Sequence, residues 1–377
     1  MKIVDIVAYP VSVPVPEHRR VTLGIGTMVK RDSVFVKVTT DDGLVGWGES
    51  HHGRAHLAIA ALVNTTLKGL VLGMDATDVN GVWSRIYKFQ LASHGMGAAC
   101  AMAMSGIDIA LWDIRGKAVG WPIYKLLGGT ARDIPAYAGG ISLGYQPPAS
   151  LVEEVGSFVA AGYKAVKLRV GDTPARDAER ARAVRAAFSD DLVILADANA
   201  GYTAEDARRV VPAYEEAGLT WLEEPFPAHD WRSYRDLHAI SHLPLAAGEN
   251  HYTRFEFSRL IEEGAVAFLQ PDISKTGGIT ETMRIAAMAS AVKLPIHCHS
   301  SMGINMVATV HVLSAIENSG YFEADCSVDN PLRDSLVNPA VRVSNGAIRP
   351  NEGPGLGIEV DEEMILRYPG EVGPAYV

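Results

Sequence analysis

Three acidic residues stand at matched spacing, each closing a short apolar run: Asp197 in VILADAN, Glu223 in WLEEP and Glu249 in PLAAGEN. The intervals are equal, 223 − 197 = 26 and 249 − 223 = 26. One βα unit fits that length, so the acids are expected at the C-terminal ends of three successive parallel strands, the rim where a barrel gathers its reacting groups. A single acid there commonly caps the next helix. Three crowded together would repel strongly unless a cation lay between them. Oxygen ligands without Cys or His suit a hard divalent ion, with Mg2+ the default. Asn199, two residues beyond Asp197, is a candidate contact for metal or substrate, or else a turn residue.

Lys167 and Arg169 lie two apart in a strand-like run, so they share a face. Flanking Ala165, Val166, Leu168 and Val170 argue that this face is buried and points both cations at the carboxylates. A lysine beside a metal and another cation can have its pKa lowered enough to act as a base, whereas an arginine serves to grip a carboxylate. Asp272 closes FLQPD, and His297 and His299 close PIHCH, on what should be the next two strands. An aspartate bonded to one ring N–H fixes a histidine's tautomer and raises its basicity. His299, nearer the strand end, is the expected acid/base. His297, one pleat lower, is a candidate substrate contact or a hydrogen-bonded core histidine. Glu323 closes YFEAD on the eighth strand and, if protonated, can donate a hydrogen bond to a developing enolate. Glu224 should turn away from the site to pair with a nearby cation, and Lys275 is expected at the surface or behind the site.

These residues need a framework. Residues 1–50 read as antiparallel sheet, with alternation at Val34, Val36 and Val38 and a turn at Asp42-Gly43. Residues 101–117 carry Ile107, Ala110, Leu111 and Ile114 on one helical face. From Ile134, short apolar strands alternate with helical stretches, the signature of a parallel α/β sheet. Strands are expected over 135–139, 165–170, 192–197, 220–223, 245–249, 267–272, 295–299 and 321–323, enough to close a barrel. Thr203 to Asp206 reads as a capping box after the third of them. Residues 341–357 read as a hairpin outside the barrel. The expected division is an α+β capping domain over 1–125, a (β/α)-barrel over 126–340, and a segment over 341–377 returning to the first domain.

The 377 residues are 48% hydrophobic and carry a net charge of −10, which disfavours nucleic acid as a partner. Cys100, Cys298 and Cys326 are sparse and odd in number, as in a reducing cytoplasm. The N-terminus reads as a strand, not a signal peptide. The most apolar helix candidate, around 96–104, is expected to be too short and too rich in Gly and Ala to cross a bilayer.

The chain resembles the enolase superfamily, and within it the mandelate racemase/muconate lactonizing enzyme family. The likeness covers nearly the whole length; its most specific stretch is AMSGIDIALWDIRGKAVGWPIYKLLGG, residues 103–129. The resemblance implies a (β/α)7β TIM-like barrel under an α+β capping domain built from N- and C-terminal segments. It implies Mg2+ at Asp197, Glu223 and Glu249, and a catalytic His299–Asp272 dyad of the mandelate racemase subgroup with Lys167, Arg169 and Glu323. Arg169 departs from that subgroup's usual Lys-x-Lys, which puts two-base racemisation in doubt. The implied reaction removes the proton α to a carboxylate through an enediolate. Dehydration of an acid sugar to a 2-keto-3-deoxy acid is the leading expectation; a racemase, epimerase or cycloisomerase, or a silent metal-binding homologue, are the alternatives. In this family the capping loops choose the substrate. Here 17–28 and 50–56 supply His18, Arg19, Arg20, His51, His52 and Arg54, of which Arg20, His52 and Arg54 are candidate contacts for a small-molecule carboxylate. No membrane partner is expected, and family members are often dimers or octamers.

Overall fold

The computed structural model describes residues 1–377 apart from His94 and Ser301. Its front is a three-stranded antiparallel sheet of Ile3–Pro14, Lys30–Thr40 and Val45–Ser50, with Lys30–Thr40 in the middle. The turn at Asp42-Gly43 needs glycine's left-handed backbone, φ 85° at Gly43. A 23-residue helix, Gly97–Val119, packs across this sheet. The approach is so close that a Cβ on Gly48 would stand 2.0 Å from the Gly106 carbonyl oxygen. The expectation that this apolar stretch is too short to span a bilayer is corrected: length and composition alone would allow it. However, 78% of its most apolar window is buried, as in a core helix, since its small residues serve contact with the sheet rather than with lipid.

Beyond it, strands and helices alternate. Seven strands form one parallel path in the order Phe268–Leu269, Leu245–Ala247, Leu222–Glu223, Val193–Asp197, Ala165–Arg169, Ile134–Gly139 and Phe322–Asp325. The expected strand over 295–299 is not continuous. Residues there make isolated parallel bridges, Leu269↔Ile296, Asp272↔His299 and Ile296↔Ser319, beside the path's two ends. Pro295 has no amide hydrogen to donate to a ladder. The register sets Arg169 opposite Asp197 and Asp197 opposite Glu223, one row across three strand ends. The capping box forms: Asp206 N donates to Thr203 Oγ1 at 3.1 Å and Thr203 N to Asp206 Oδ2 at 3.3 Å.

The C-terminal stretch ties the two parts together. Ala347–Ile348 pairs antiparallel with the start of Ile134–Gly139. Leu356 N then donates to Asp113 on the long helix at 2.9 Å. Further on, Pro369 bridges Val11, and residues 375–377 zip onto 27–30 through Val29 N to Ala375 O (2.8 Å) and Thr27 N to Val377 O (2.7 Å).

Candidate active site

The strand ends assemble a dense charge network. Lys167 and Arg169 share the interior face, as their spacing requires, and both are buried. Lys167 Nζ lies 3.0 and 3.1 Å from the two oxygens of Glu223, 2.8 Å from Glu323 Oε1 and 3.4 Å from Asp197 Oδ2. Burial alone would weaken its charge, but Glu223, Glu323 and Asp197 outweigh it and hold its pKa well above the ordinary value. In this arrangement Lys167 is a charged donor to those acids. Arg169 donates to Asp197 and to the Gly140 carbonyl and lies 3.6 Å from Glu323. Glu323 also accepts from Gly140 N at 3.1 Å. Against the effect of burial, Lys167, His299 and Arg169 pull its carboxyl down to about 2. It is therefore an ionised acceptor, and the expectation of a protonated donor does not hold.

His299 and Asp272 meet as the sequence predicts. His299 Nδ1 bonds Asp272 Oδ2 at 2.7 Å, and its Nε2 lies 2.8 Å from Glu249 Oε2. Burial opposes protonation of the ring, yet Glu249, Glu323 and Asp272 raise its pKa to about 10. Asp272 is itself saturated. Its Oδ1 accepts from Ser274 N (2.7 Å), Ser274 Oγ (2.6 Å) and Asn305 Nδ2 (3.1 Å), leaving Oδ2 for the histidine. Asn305 lies in the first turn of the helix Ile304–Leu313, and its backbone N donates to Glu49 Oε2 of the capping sheet at 2.8 Å. A carboxyl group from one part thus caps a helix whose first turn steadies the dyad in the other.

The three acids expected to hold a metal are gathered at one end of the sheet, but they are engaged by cations. Asp197 faces Arg169 and Lys167, Glu223 faces Lys167 and accepts from Gln270 Nε2 at 2.7 Å, and Glu249 faces His299. Among the described residues, no three His, Cys, Asp or Glu side chains are spaced as one ion's ligands. The donor set nevertheless fits a hard divalent cation. Burial raises the Glu223 carboxyl to about 7, with Lys167 lowering it and Asp197, Glu323 and Glu249 raising it: mutual repulsion that a shared cation would relieve. Asn199 Oδ1 is buried without a hydrogen-bond partner among the described residues, while Asn199 N donates to Asp197 Oδ1 at 2.8 Å. Its φ of 44° marks the turn residue also foreseen.

A cavity of about 240 Å3 opens over this network, with Arg169, Asn199, Glu249 and His299 on its barrel side and His51, His52 and Arg54 on its capping side. Arg20 is not brought there. It is exposed, and its Nε donates to Val15 O at 3.3 Å. His297 is placed below, among Trp221, Phe268 and Tyr321, with Nδ1 accepting from Tyr321 N at 2.9 Å. Burial drops its pKa to about 4, the state of a neutral core histidine. Glu224 turns aside as expected, but its hydrogen-bond partner is the Asn250 amide, at 2.6 Å, rather than a cation. Two residues were not foreseen. Lys275 is only 5% exposed and lines the cavity, which corrects its assignment to the surface or the site's rear. Tyr376 joins the wall with the Arg54 guanidinium 5.1 Å from its ring centroid. Lys275 follows Asp272 by three residues, a spacing that could have flagged it; nothing in the sequence flags Tyr376.

A capped parallel sheet with acids, cations and a histidine–aspartate pair at its C-terminal strand ends is the arrangement of an enolase-type protein. Residues 5–128 match the model described as mandelate racemase/muconate lactonizing enzyme, N-terminal domain, and 150–364 match the enolase C-terminal domain-like model; the chain belongs to this family. It is 35% identical over 351 residues to a D-galactonate dehydratase of Verminephrobacter eiseniae, covering 88% of this chain and 90% of that one. It is 34% identical over 342 residues to an arabinonate dehydratase of Saccharolobus solfataricus, covering 89% and 90%. Among solved structures, an enolase superfamily member from Polaromonas sp. JS666 superposes with a TM-score of 0.97 at 52% identity over 100% of both chains. A racemase from Streptomyces coelicolor A3(2) with bound magnesium gives 0.89 at 29% identity, covering 97% and 99%.

Proposed function

We propose that this protein is a Mg2+-dependent acid sugar dehydratase that removes the proton α to a carboxylate and expels the β-hydroxyl, giving a 2-keto-3-deoxy acid. The observation that carries this reading is the Asp272–His299 pair facing Glu249 beneath a cavity lined with cations. The relatives named as aldonic acid dehydratases support the substrate class.

Asp197, Glu223 and Glu249 would hold the ion, which when bound supplies positive charge to the substrate's carboxylate and the electron density that builds on it. His299 moves the α proton. Asp272 keeps the ring oriented, because three donors on its other oxygen fix it and hold it ionised. Lys167 and Arg169 offset the charge of the enediolate, and Glu323 keeps that pair of cations in place. Asn199, His52 and Arg54 contact the acid's hydroxylated chain. Racemisation needs a base on each face of the α carbon, and Arg169 cannot readily serve as the second.

The same reading takes the sheet as a (β/α)7β barrel with 295–299 as its seventh stave, bounded at 126–340 between the capping segments 1–125 and 341–377. Three free thiols support a cytoplasmic site, and the family likeness supports a homo-oligomer. The test is incubation with Mg2+ and a panel of pentonates and hexonates, reading 2-keto acids as semicarbazones. At least one acid yields a keto acid only when Mg2+ is present. A panel without product, or product formed equally in chelator, overturns the proposal.

A further inference from the structure

One wall of the cavity, where the capping loop meets the loop after Asp272, carries an arrangement whose part in the proton chemistry is unassigned above. Lys275 lines the cavity and is 5% exposed, yet no described residue gives its ammonium a hydrogen bond or an ion pair within 4.0 Å. Lysine is rarely buried without a partner, and its three N–H groups can only donate. Beside it, His51 N donates to the Ser274 carbonyl at 3.0 Å, which ties the capping loop to the loop bearing Lys275. The His51 and His52 rings stack with centroids 4.2 Å apart. Each turns Nδ1 back to its own loop: His51 Nδ1 accepts from Gly53 N at 3.0 Å, and His52 Nδ1 from Arg54 N at 2.9 Å. A neutral imidazole whose Nδ1 accepts carries its proton on Nε2. Burial keeps both rings neutral, with His52 lowered to about 4. Neither Nε2–H has a partner among the described residues. The wall therefore presents an ammonium and two imidazole N–H donors, opposite a floor of carboxylates. An accepting oxygen, of water or of a ligand, satisfies it.

We propose that Lys275, His51 and His52 form a donor-only subsite for the oxygen on the substrate's β carbon, with Lys275 the proton donor to that oxygen as it leaves. This rests on the reading given under Proposed function. The α proton goes to the base, and its electron pair becomes the bond between the α and β carbons. The β carbon–oxygen bond breaks, its electron pair staying on oxygen, which takes one proton from the ammonium and departs as water. The enol then gains a proton at the β carbon and loses one from oxygen to give the 2-keto acid. No oxidant or reductant is required. Lys275 is left as the neutral amine and recovers a proton from solvent.

The test compares two inert acids by calorimetry on the Mg2+-loaded protein. Tartronate has a second carboxyl where the β oxygen would sit, whereas glycolate has no β carbon. Lys275→Met should weaken tartronate about ten-fold to a hundred-fold, the loss of a hydrogen bond to a charged donor, and leave glycolate within about two-fold. His52→Phe keeps the stacked ring but removes one donor, and should weaken tartronate about three-fold to ten-fold, again without touching glycolate. Unchanged tartronate binding with glycolate binding intact overturns the subsite alone. An equal loss of both ligands overturns it as well, because a donor aimed at the β carbon has no part in holding glycolate. If the wild-type protein binds neither acid in a Mg2+-dependent way, the functional reading falls and the subsite with it.

Discussion

Lys167 and Glu323 stand 2.8 Å apart, both fully buried, and the same ammonium reaches both oxygens of Glu223. One lysine thus neutralises acids from two strands that are not neighbours in the sheet. Lys167→Met removes that charge and leaves Asp197, Glu223 and Glu323 facing one another. Losing one partner of a buried pair costs about 3–5 kcal/mol. Urea denaturation without divalent ions should show a loss of that size, partly recovered on adding Mg2+. Equal stability of variant and wild type would contradict this account of the network.

Asp272 positions His299 through one oxygen while Ser274 and Asn305 occupy the other. Asp272→Asn keeps the shape but offers an N–H where the ring N–H needs an acceptor. General acid–base catalysis contributes about 10²- to 10⁴-fold, and turnover should fall within that range while Mg2+ affinity holds. Steady-state kinetics and metal titration separate the two effects; weakened Mg2+ binding would move Asp272 from orienting the histidine to supporting the metal.

Glu49 offers a test of the contact between the two parts of the chain. Burial raises its carboxyl to about 8 from an ordinary 4.5, against the hydrogen bonds from Ser33 and Asn305 and with Asp272 adding repulsion. Between those values the folded chain holds a proton that the unfolded chain has released. Stability therefore falls as pH rises from about 4.5 to about 8, by up to ~1.4 kcal/mol per pH unit. Glu49→Gln removes this titration. The variant should gain on the wild type steadily over that range and level off above it, as read by urea denaturation at each pH. A constant difference would show that Glu49 stays ionised in the fold.

The matched interval between Asp197, Glu223 and Glu249 made the strand ends legible, because a βα unit has a narrow length range and the register is set by the same pleat. The two-residue step from Lys167 to Arg169 gave their common face, and the positions of Asp272 and His299 gave the dyad. What escaped depends on residues distant in sequence. Lys275 is covered by a capping loop more than two hundred residues earlier, so nothing local reveals its burial. The ionisation of Glu323 follows from its distance to Lys167, which no spacing encodes. The long helix reads in sequence as two overlapping stretches, around 96–104 and over 101–117, whereas the fold joins them, and Gly106 is the small residue that contact with Gly48 demands.

Arg169 bonds Asp197 and the Gly140 carbonyl and remains charged, so the proposed reaction has one base at the α carbon, His299. In D2O, deuterium should enter the α position of any acid that exchanges with retained configuration. NMR of recovered acid checks this against both stereoisomers; inversion at a comparable rate would require a second base.

The role of His299 in moving the α proton is open to α-proton NMR of an acid that turns over, in D2O with Mg2+, for wild type and His299→Asn. Loss of the α signal and formation of keto acid are expected with the wild type, and neither with the variant, though the variant still binds Mg2+. Exchange and product at the wild-type rate in the variant would contradict that role.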